Sequence, residues 1–570
     1  MSLSPMTLPL TGPQMELSDH IQTSQVENVR VTCPLMPPIT GTLCVSSHHL
    51  LLSALPEGDE DHDGERLELW LLHRAVDSVE KSVQNIVRFR SKEIVEGSEG
   101  KTGSGSITLK CKDLRVIQLE IPSMEATLNI ARSVQALSSL DSISLAYPFF
   151  FRPQRHRLGE GWPRDTTENF FLKIKAETDS WRISHINLDF KVCPSYPPTV
   201  IVPRSCTDDT LLMSASFRRG GRFPILSYYH KSNGTALLHC SKSQAGSARH
   251  RCEKDEALLD AALLGQLPGF IIHTGPSNNA KQVTSEEEGA ERQAGYWRVL
   301  HRPLERGRAL QDSLVRLVSA CYEPALEINR WLSKLQASRW MSHVKEALGA
   351  AGLTAECMER KGGCVLVQGK EGTDTTLLVT SLTQLILSPD CRTFDGFQDL
   401  IERDWLQAGH PFQLRCAHSG WSQSRAQHEA PLFLLFLDCC WQVARQFPFA
   451  LEFSEKLLCI LAEHAYSSEY GTFLCNNEKE RCLYEVQDRT HSLWVFLNDN
   501  KKQLKLLNPM YEQNPLVIWP SVEPQSLQLW AGFFLQYLLP HEHTILARKR
   551  MVEIIKTSQE PLDNSQISQS

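Results

Sequence analysis

Three consecutive aliphatic residues, Val365-Leu366-Val367, run straight into Gln368-Gly369-Lys370-Glu371-Gly372, and Thr373-Asp374-Thr375-Thr376 follow. A short apolar run bounded by glycine reads as a buried strand, and threonines with an aspartate ahead of Leu377-Leu378-Val379 read as a helix start. A strand that passes through one tight turn into a helix packs that helix back on its own sheet, so this region is committed to an α/β layer architecture on a mixed or parallel sheet. The turn also carries chemistry. Its backbone N–H groups converge and the helix dipole adds positive potential, which is how proteins cradle phosphate or another oxyanion.

Two positions decide what such a loop can do. Cysteine-type phosphoryl chemistry needs a thiolate at the loop's start to attack phosphorus and an arginine six positions later to grip the equatorial oxygens. Gly369 and Thr375 stand there instead. Two other stretches satisfy Cys-x5-Arg literally. Cys439 to Arg445 lies in an apolar run that reads as one buried helix, whose N–H groups are used internally; Cys475 to Arg481 contains Glu478 and Glu480, which repel a dianion. Neither reads as catalytic.

The 570 residues allow two to four domains. A net charge of −7 excludes a dedicated nucleic-acid binder, because no basic excess exists to displace counterions from a phosphate backbone. The 17 cysteines show no paired Cys-x2-Cys spacing and several lie inside apolar runs, so the expectation is a reduced, cytoplasmic protein with no metal site and no cofactor. No signal peptide and no run of ~18 apolar residues is visible, which leaves peripheral membrane association, on endomembranes, as the expected membrane contact.

Residues 1–24 read as a disordered tail. Over 25–142, short β runs at Val29-Arg30-Val31, 39–45, 49–52, 67–72, 107–111 and 115–119 precede a helical period through Leu128, Ala131, Val134 and Leu137, the plan of a pleckstrin-homology-like β-barrel with one closing helix. Pro56 to Glu65 and Gly97 to Ser106 read as polar hairpin loops. Residues 143–160 form a linker, 161–540 the α/β domain, and 541–570 a helix with a polar tail.

Val367, Gly372, Asp374 and Thr376 match the loop Val-His-Cys-Ser-Asp-Gly-Trp-Asp-Arg-Thr, and the segment resembles the signature of the myotubularin family of phosphoinositide 3-phosphatases. Gln368, Gly369, Thr373 and Thr375 replace that pattern's His, Cys, Trp and Arg. The resemblance extends from about 26 to about 535: Gly41-Thr42-Leu43 and Leu69-Trp70-Leu71-Leu72 resemble the family's GRAM domain, Cys193-Pro194-Ser195-Tyr196-Pro197 its phosphatase entry, and Phe217 to Pro224 its Phe-Arg-x-x-Arg-x-Pro segment. Where active members carry Asp-Ala-Arg near the pocket, Ile271-Ile272 is followed by His273-Thr274-Gly275.

The resemblance implies a GRAM or pleckstrin-homology-like barrel followed by an inactive cysteine-phosphatase α/β domain, with residues 368–375 a degenerate phosphate loop. It implies a pseudophosphatase adaptor that forms a heteromer with active myotubularin-related phosphatases and stabilises or stimulates them. The alternative is a stand-alone module that binds phosphoinositide membranes. Arg218, Arg219 and Arg222 flank a double glycine and either line the residual pocket or anchor loops; both readings stay open. Asp374 falls where active relatives keep the general acid, and without a nucleophile its expected use, or that of a neighbouring threonine, is as a helix N-cap. His410 reads as structural, and Trp331, Trp340 and Trp405 as core. Related chains of this subgroup pair through a C-terminal coiled coil; here Pro561 and a Ser/Gln-rich stretch supply no three or four heptads, so the expectation is that this route is missing.

Overall fold

The computed structural model describes residues 17–538, apart from 35–37, 55–66, 84–102, 141, 147–157, 164–165, 245–250, 266–267, 276–295, 324–326 and 423–427. Its first region is an antiparallel sheet of β1 (Gln25–Thr32), β2 (Ile39–Val45), β3 (His49–Ala54), β4 (Leu67–Leu72), β5 (Val76–Val83), β6 (Gly105–Cys111) and β7 (Val116–Ile121), in the order β4-β3-β2-β1-β7-β6-β5. β4 and β5 are the two edges, yet only His73–Ala75 separate them in the chain. Three residues span at most about 11 Å, so the sheet curls until its edges approach.

Alternation fixes which face is inside: Ile107, Leu109 and Cys111 of β6 and Ile117, Leu119 and Ile121 of β7 are buried, and the residues between them within each strand are not. The helix Met124–Ser138 covers this core with Ile130, Ala131, Val134 and Leu137, and Ser123 Oγ caps it by accepting from Ala126 N–H at 3.3 Å. All six expected strands and the helix are present. β5 was not expected, because only Val76 of its eight residues is buried and its pattern is that of a charged edge strand. Of the two expected hairpin loops, Pro56 to Glu65 lies outside the described residues, and the other ends sooner, since Gly105-Ser106 already belong to β6. The tail up to residue 16 and the stretch from 539 onward, including the expected helix and polar tail, also lie outside the described residues.

The second region contains a hairpin of β8 (Trp181–Ser184) with β9 (Val200–Pro203) and a five-stranded sheet of β10 (Ile225–His230), β11 (Thr235–Ser241), β12 (Gly269–His273), β13 (Trp297–His301) and β14 (Val365–Gly369). The order is β10-β11-β14-β12-β13, with β11, β14, β12 and β13 parallel and β10 antiparallel at the edge. β14 is therefore central and buried on both faces. Val365 and Val367 enter the larger core, and Cys364 and Leu366 the smaller one on the other side of the sheet.

The helix Thr375–Leu387 leaves β14 through the signature loop and is buried at every position. Some of its polar residues bond back to the preceding turn: Ser381 Oγ donates to Leu377 O at 2.6 Å and Thr383 Oγ1 to Val379 O at 2.7 Å. The stretch from Asn329 to Trp340, whose composition suits one helix, spans two, Ile328–Ser338 and Trp340–Glu359, separated by Arg339 at φ 62°. Trp340 and Trp405 are fully buried, as the core reading requires, whereas Trp331 is half-exposed.

The two regions interlock at Asp77 of β5, whose carboxylate is buried and accepts from Ser419 N–H (3.2 Å), Ser419 Oγ (2.8 Å), Trp421 N–H (3.2 Å) and His418 Nδ1 (3.0 Å). Trp421 Nε1 donates to Cys111 O at 3.0 Å and Tyr322 OH to Leu114 O at 2.9 Å.

Candidate functional site

The loop 370–374 leaves the C-terminal end of β14 between Ser241 of β11 and His273 of β12, the crevice where open α/β sheets hold ligands. Its shape depends on Gly372. At φ +75° it turns left-handed, and a Cβ there would lie 3.0 Å from the Cys240 carbonyl group and the Ser241 nitrogen.

Arg222 holds this turn from below. Its Nη2 donates to Gly372 O at 2.7 Å, its Nη1 to Ser195 Oγ at 2.8 Å, and its guanidinium stacks 4.1 Å above the Tyr196 ring. Arg218 is buried and forms a fork with Asp255, Nε to Oδ1 at 2.8 Å and Nη2 to Oδ2 at 2.6 Å, while its Nη1 donates to Ser241 O at 3.0 Å. Arg219 is half-exposed and lies 3.4 Å from the Glu371 carboxylate. Two of the three arginines are thus buried anchors, and Arg219 alone is free to meet solvent beside the loop.

Gly369 has an ordinary extended backbone, so its lack of a side chain is a matter of space. A Cβ there would lie 3.0 Å from Thr376 Cγ2, 3.1 Å from Thr274 Oγ1 and 3.4 Å from Thr375 Oγ1. Thr274 and Thr375 bond to each other across this spot, Oγ1 to Oγ1 at 2.7 Å, and Thr274 N–H donates to Gln368 O at 2.9 Å. The segments 273–275 and 368–376 therefore meet here, and threonine side chains occupy the volume that a side chain on Gly369 would take.

Asp374 stands at the N-cap position, but its carboxylate makes no bond to the helix N–H groups. Arg415 takes it instead, Nε to Oδ1 at 2.9 Å and Nη2 to Oδ2 at 2.8 Å, with His410 at 3.6 Å and Arg306 at 3.9 Å. The expected capping role is thus replaced by a buried ion pair. Burial alone would raise the Asp374 pKa, but the Arg415 fork, helped by His410 and Arg306, brings it below the usual carboxylate range. A general acid must carry its proton into the reaction, and this carboxyl is held ionised.

His410 is structural, as expected: buried, its Nδ1 is 2.9 Å from Thr373 O, and burial pushes its pKa down to about 4, so the ring is neutral near pH 7. Of the two literal Cys-x5-Arg stretches, the first is the buried helix read from sequence. Cys439 lies inside the helix Leu432–Gln446, its thiol pushed well above the usual range by burial, and Cys475 is pushed up to about 12 by burial. Beside Cys475, the Asn476 N–H is already bonded to Glu480 at 2.9 Å. Among the described residues no cluster of His, Cys, Asp and Glu could hold a metal ion, and no helix is long and apolar enough to cross a membrane.

Sequence reasoning missed Arg306 and Arg415. They face the loop from segments before the helix Arg308–Tyr322 and at the end of the helical turn Phe412–Arg415, and no local motif marks either. Together the loop presents two carboxylates to three guanidiniums, with no thiol among them.

A central β14, a glycine-turned loop at its carboxyl end and a fully buried helix behind it define a cysteine-phosphatase-like α/β domain, here behind a curled antiparallel sheet consistent with a GRAM or pleckstrin-homology-like domain. The family model of the myotubularin-like phosphatase domain matches residues 146–482, and the chain belongs to the myotubularin family. Among its relatives, the Bos taurus myotubularin-related protein 9-like is 52% identical over 562 residues, covering 98% of this chain and 99% of that protein. The Homo sapiens myotubularin-related protein 9 is 47% identical over 549 residues (96% and 95%), and the Homo sapiens phosphatidylinositol-3,5-bisphosphate 3-phosphatase MTMR6 is 30% identical over 556 residues (95% and 84%).

Proposed function

We propose that this chain is a pseudophosphatase, a non-catalytic member of its family that acts by binding an active myotubularin-related phosphatase and stabilising or stimulating it. The observation that carries the reading is Gly369: the nucleophile's position has no side chain, and Thr274, Thr375 and Thr376 fill the space around it. Thr375 supplies no guanidinium to the loop, and Asp374 is held ionised by Arg415, which supports the same reading. The degenerate loop 368–375 then serves as a rigid turn, the domain division is 25–142 and 161–540, and the site of work is the cytoplasmic face of endomembranes. A partner of the same family is the natural candidate, because the 30% identical relative carries a 3-phosphatase name over most of this chain's length.

The test combines two measurements. Phosphate release from phosphatidylinositol 3-phosphate and phosphatidylinositol 3,5-bisphosphate should equal a buffer blank. Co-expression with MTMR6 should recover both chains in one complex and raise the phosphatase's activity. Turnover by the chain alone, or an unchanged phosphatase with no complex recovered, contradicts the reading.

A further inference from the structure

Two buried carboxylates from distant parts of the chain face the two nitrogens of one histidine. His418 Nδ1 lies 3.0 Å from Asp77 Oδ1, and its Nε2 lies 3.7 Å from Glu429 Oε1. A neutral imidazole carries one N–H, so one of its nitrogens would turn a lone pair toward an anion; the imidazolium presents a donor to both. Asp77 is satisfied whatever the ring does, because Ser419 and Trp421 supply three further donors. Glu429 is not. It is buried, its Oε2 has no hydrogen-bond partner among the described residues, and its other oxygen faces His418. A carboxylate in that position needs a positive charge beside it.

The ring is also the route by which a proton reaches the cluster. The His418 side chain is 39% exposed, whereas those of Asp77 and Glu429 are closed off at 0% and 3%. Lys112, the residue after β6, is buried and faces both acids, drawn to them and repelled by Arg74. Tyr466 also faces the two acids, and Cys416 faces Lys112 and Arg74, but burial raises both, the Cys416 thiol to about 12, so neither titrates near neutrality. The Asp77 bond holds His418 above the usual imidazole range against the cost of burial, with Glu429 adding to it and Lys112 working against it. Asp77, which burial alone would raise, is brought below the carboxylate range by the same bond and by Lys112, so it stays an anion throughout.

We infer that His418 is a proton-operated clasp between the first sheet and the segment that follows Arg415: protonated, it ties Asp77 of β5 to Glu429; neutral, it releases Glu429, and the junction opens more often. Nothing in the clasp depends on whether the signature loop is catalytic. A histidine whose folded pKa is raised stabilises fully below its unfolded value of about 6.5 and loses that contribution as pH climbs through the folded one. Lys112 acts in the opposite sense at higher pH, because burial, with Arg74, lowers its pKa to about 8 and the cost of its buried charge recedes above that point. The clasp is therefore read between about pH 6 and pH 8.

Hydrogen exchange of the full chain across that interval, corrected for intrinsic exchange, follows the junction through the Ser419 and Trp421 N–H groups, which both donate to Asp77. In wild type their protection should fall severalfold as pH rises, by no more than the roughly tenfold per pH unit that a single proton allows. His418→Gln keeps a donor for Asp77 but takes up no proton, and should show the lower protection at both ends of the interval. Glu429→Gln removes the second acid and should keep the protection while flattening its pH dependence, which leaves a clear readout if the first variant is loosened throughout. The buried helix Thr375–Leu387 serves as the internal reference, and its protection should be the same in all three chains. Wild-type protection that does not change with pH overturns the inference, as does a pH dependence that survives in either variant.

Discussion

Replacing Arg415 with methionine should destabilise the chain more than any other single change around the loop. Asp374 is 4% exposed and both its oxygens are bonded to Arg415, so Arg415→Met leaves a buried carboxylate facing only Arg306 at 3.9 Å and a His410 ring that is neutral near pH 7. Breaking one side of a buried pair costs roughly 3–5 kcal/mol, and the distant Arg306 places the expected value near the lower end. Asp374→Asn should cost less, about 2 kcal/mol, because Arg415 keeps the His428 carbonyl and the Glu371 carboxylate. Removing both charges together should cost well under the sum of the single changes, since no charge is then left unpaired. The sign with pH follows from the depressed Asp374 pKa. A carboxylate with a lowered folded pKa stabilises above its unfolded value of about 4 and loses that contribution as pH falls through the folded one. The gap between wild type and Arg415→Met should therefore be widest near pH 7 and shrink as pH falls, first as the unpaired buried Asp374 of the variant takes up a proton and then as the wild type loses its ion pair. Urea titration followed by tryptophan emission reads the transition, as Trp405 packs edge-on against His410 with ring centroids 4.9 Å apart. An Arg415→Met chain within about 1 kcal/mol of wild type at pH 7, or a double variant as unstable as the sum of its parts, would refute the reasoning.

Gly369→Cys with Thr375→Arg should not restore phosphatase activity, because the new Cβ would meet Thr376 and Thr274 at 3.0 and 3.1 Å and Asp374 would stay ionised; malachite-green release matching that of an active relative would contradict this. Glu402 is buried, accepts from Trp494 Nε1, and its pKa is raised to about 7 by burial. A carboxyl with a raised folded pKa loses stability as pH climbs from its unfolded value to its folded one, so Glu402→Gln should melt like wild type at pH 4 and higher at pH 8, by on the order of 2–3 kcal/mol; equal melting at pH 8 would exclude it. Asp77→Ala strands the donors of Ser419 and Trp421 and should cost about 2–4 kcal/mol, read as faster proteolysis between the two regions. Unchanged cleavage would show that apolar contacts alone hold them together.

The fold was legible wherever period and burial agree. β6 and β7 alternate strictly because one face meets the core, and β14 reads as a continuous apolar run because both of its faces do. β5 was not legible, since an edge strand with one buried residue carries no period; its existence is decided by pairing with β6. The break at Arg339 escaped for a different reason: a left-handed arginine has no compositional mark, and Ser338 and Trp340 on either side both suit a helix interior. At the site, the identities at Gly369 and Thr375 could be read directly from the loop. The use of Asp374 could not, because an N-cap is a local preference and Arg415, 41 residues away, outcompetes it with a full charge. Arg218 and Arg222 were indistinguishable in sequence; Asp255 and the Gly372 carbonyl separate them only in three dimensions.

The knot at Asp77 redraws what counts as a transferable unit in this chain. The carboxylate belongs to β5 of the first sheet, but its donors, His418, Ser419 and Trp421, follow directly on Arg415, the residue that grips the signature loop. A chimera that swaps the first sheet between relatives at a boundary after the helix Met124–Ser138 would separate a buried acid from its donors and leave residues 416–422 without their counterpart. A graft that carries 416–422 along with the sheet keeps both sides of the contact. The inherited block is thus discontinuous in sequence, and its second piece begins one residue after the arginine that sets the loop.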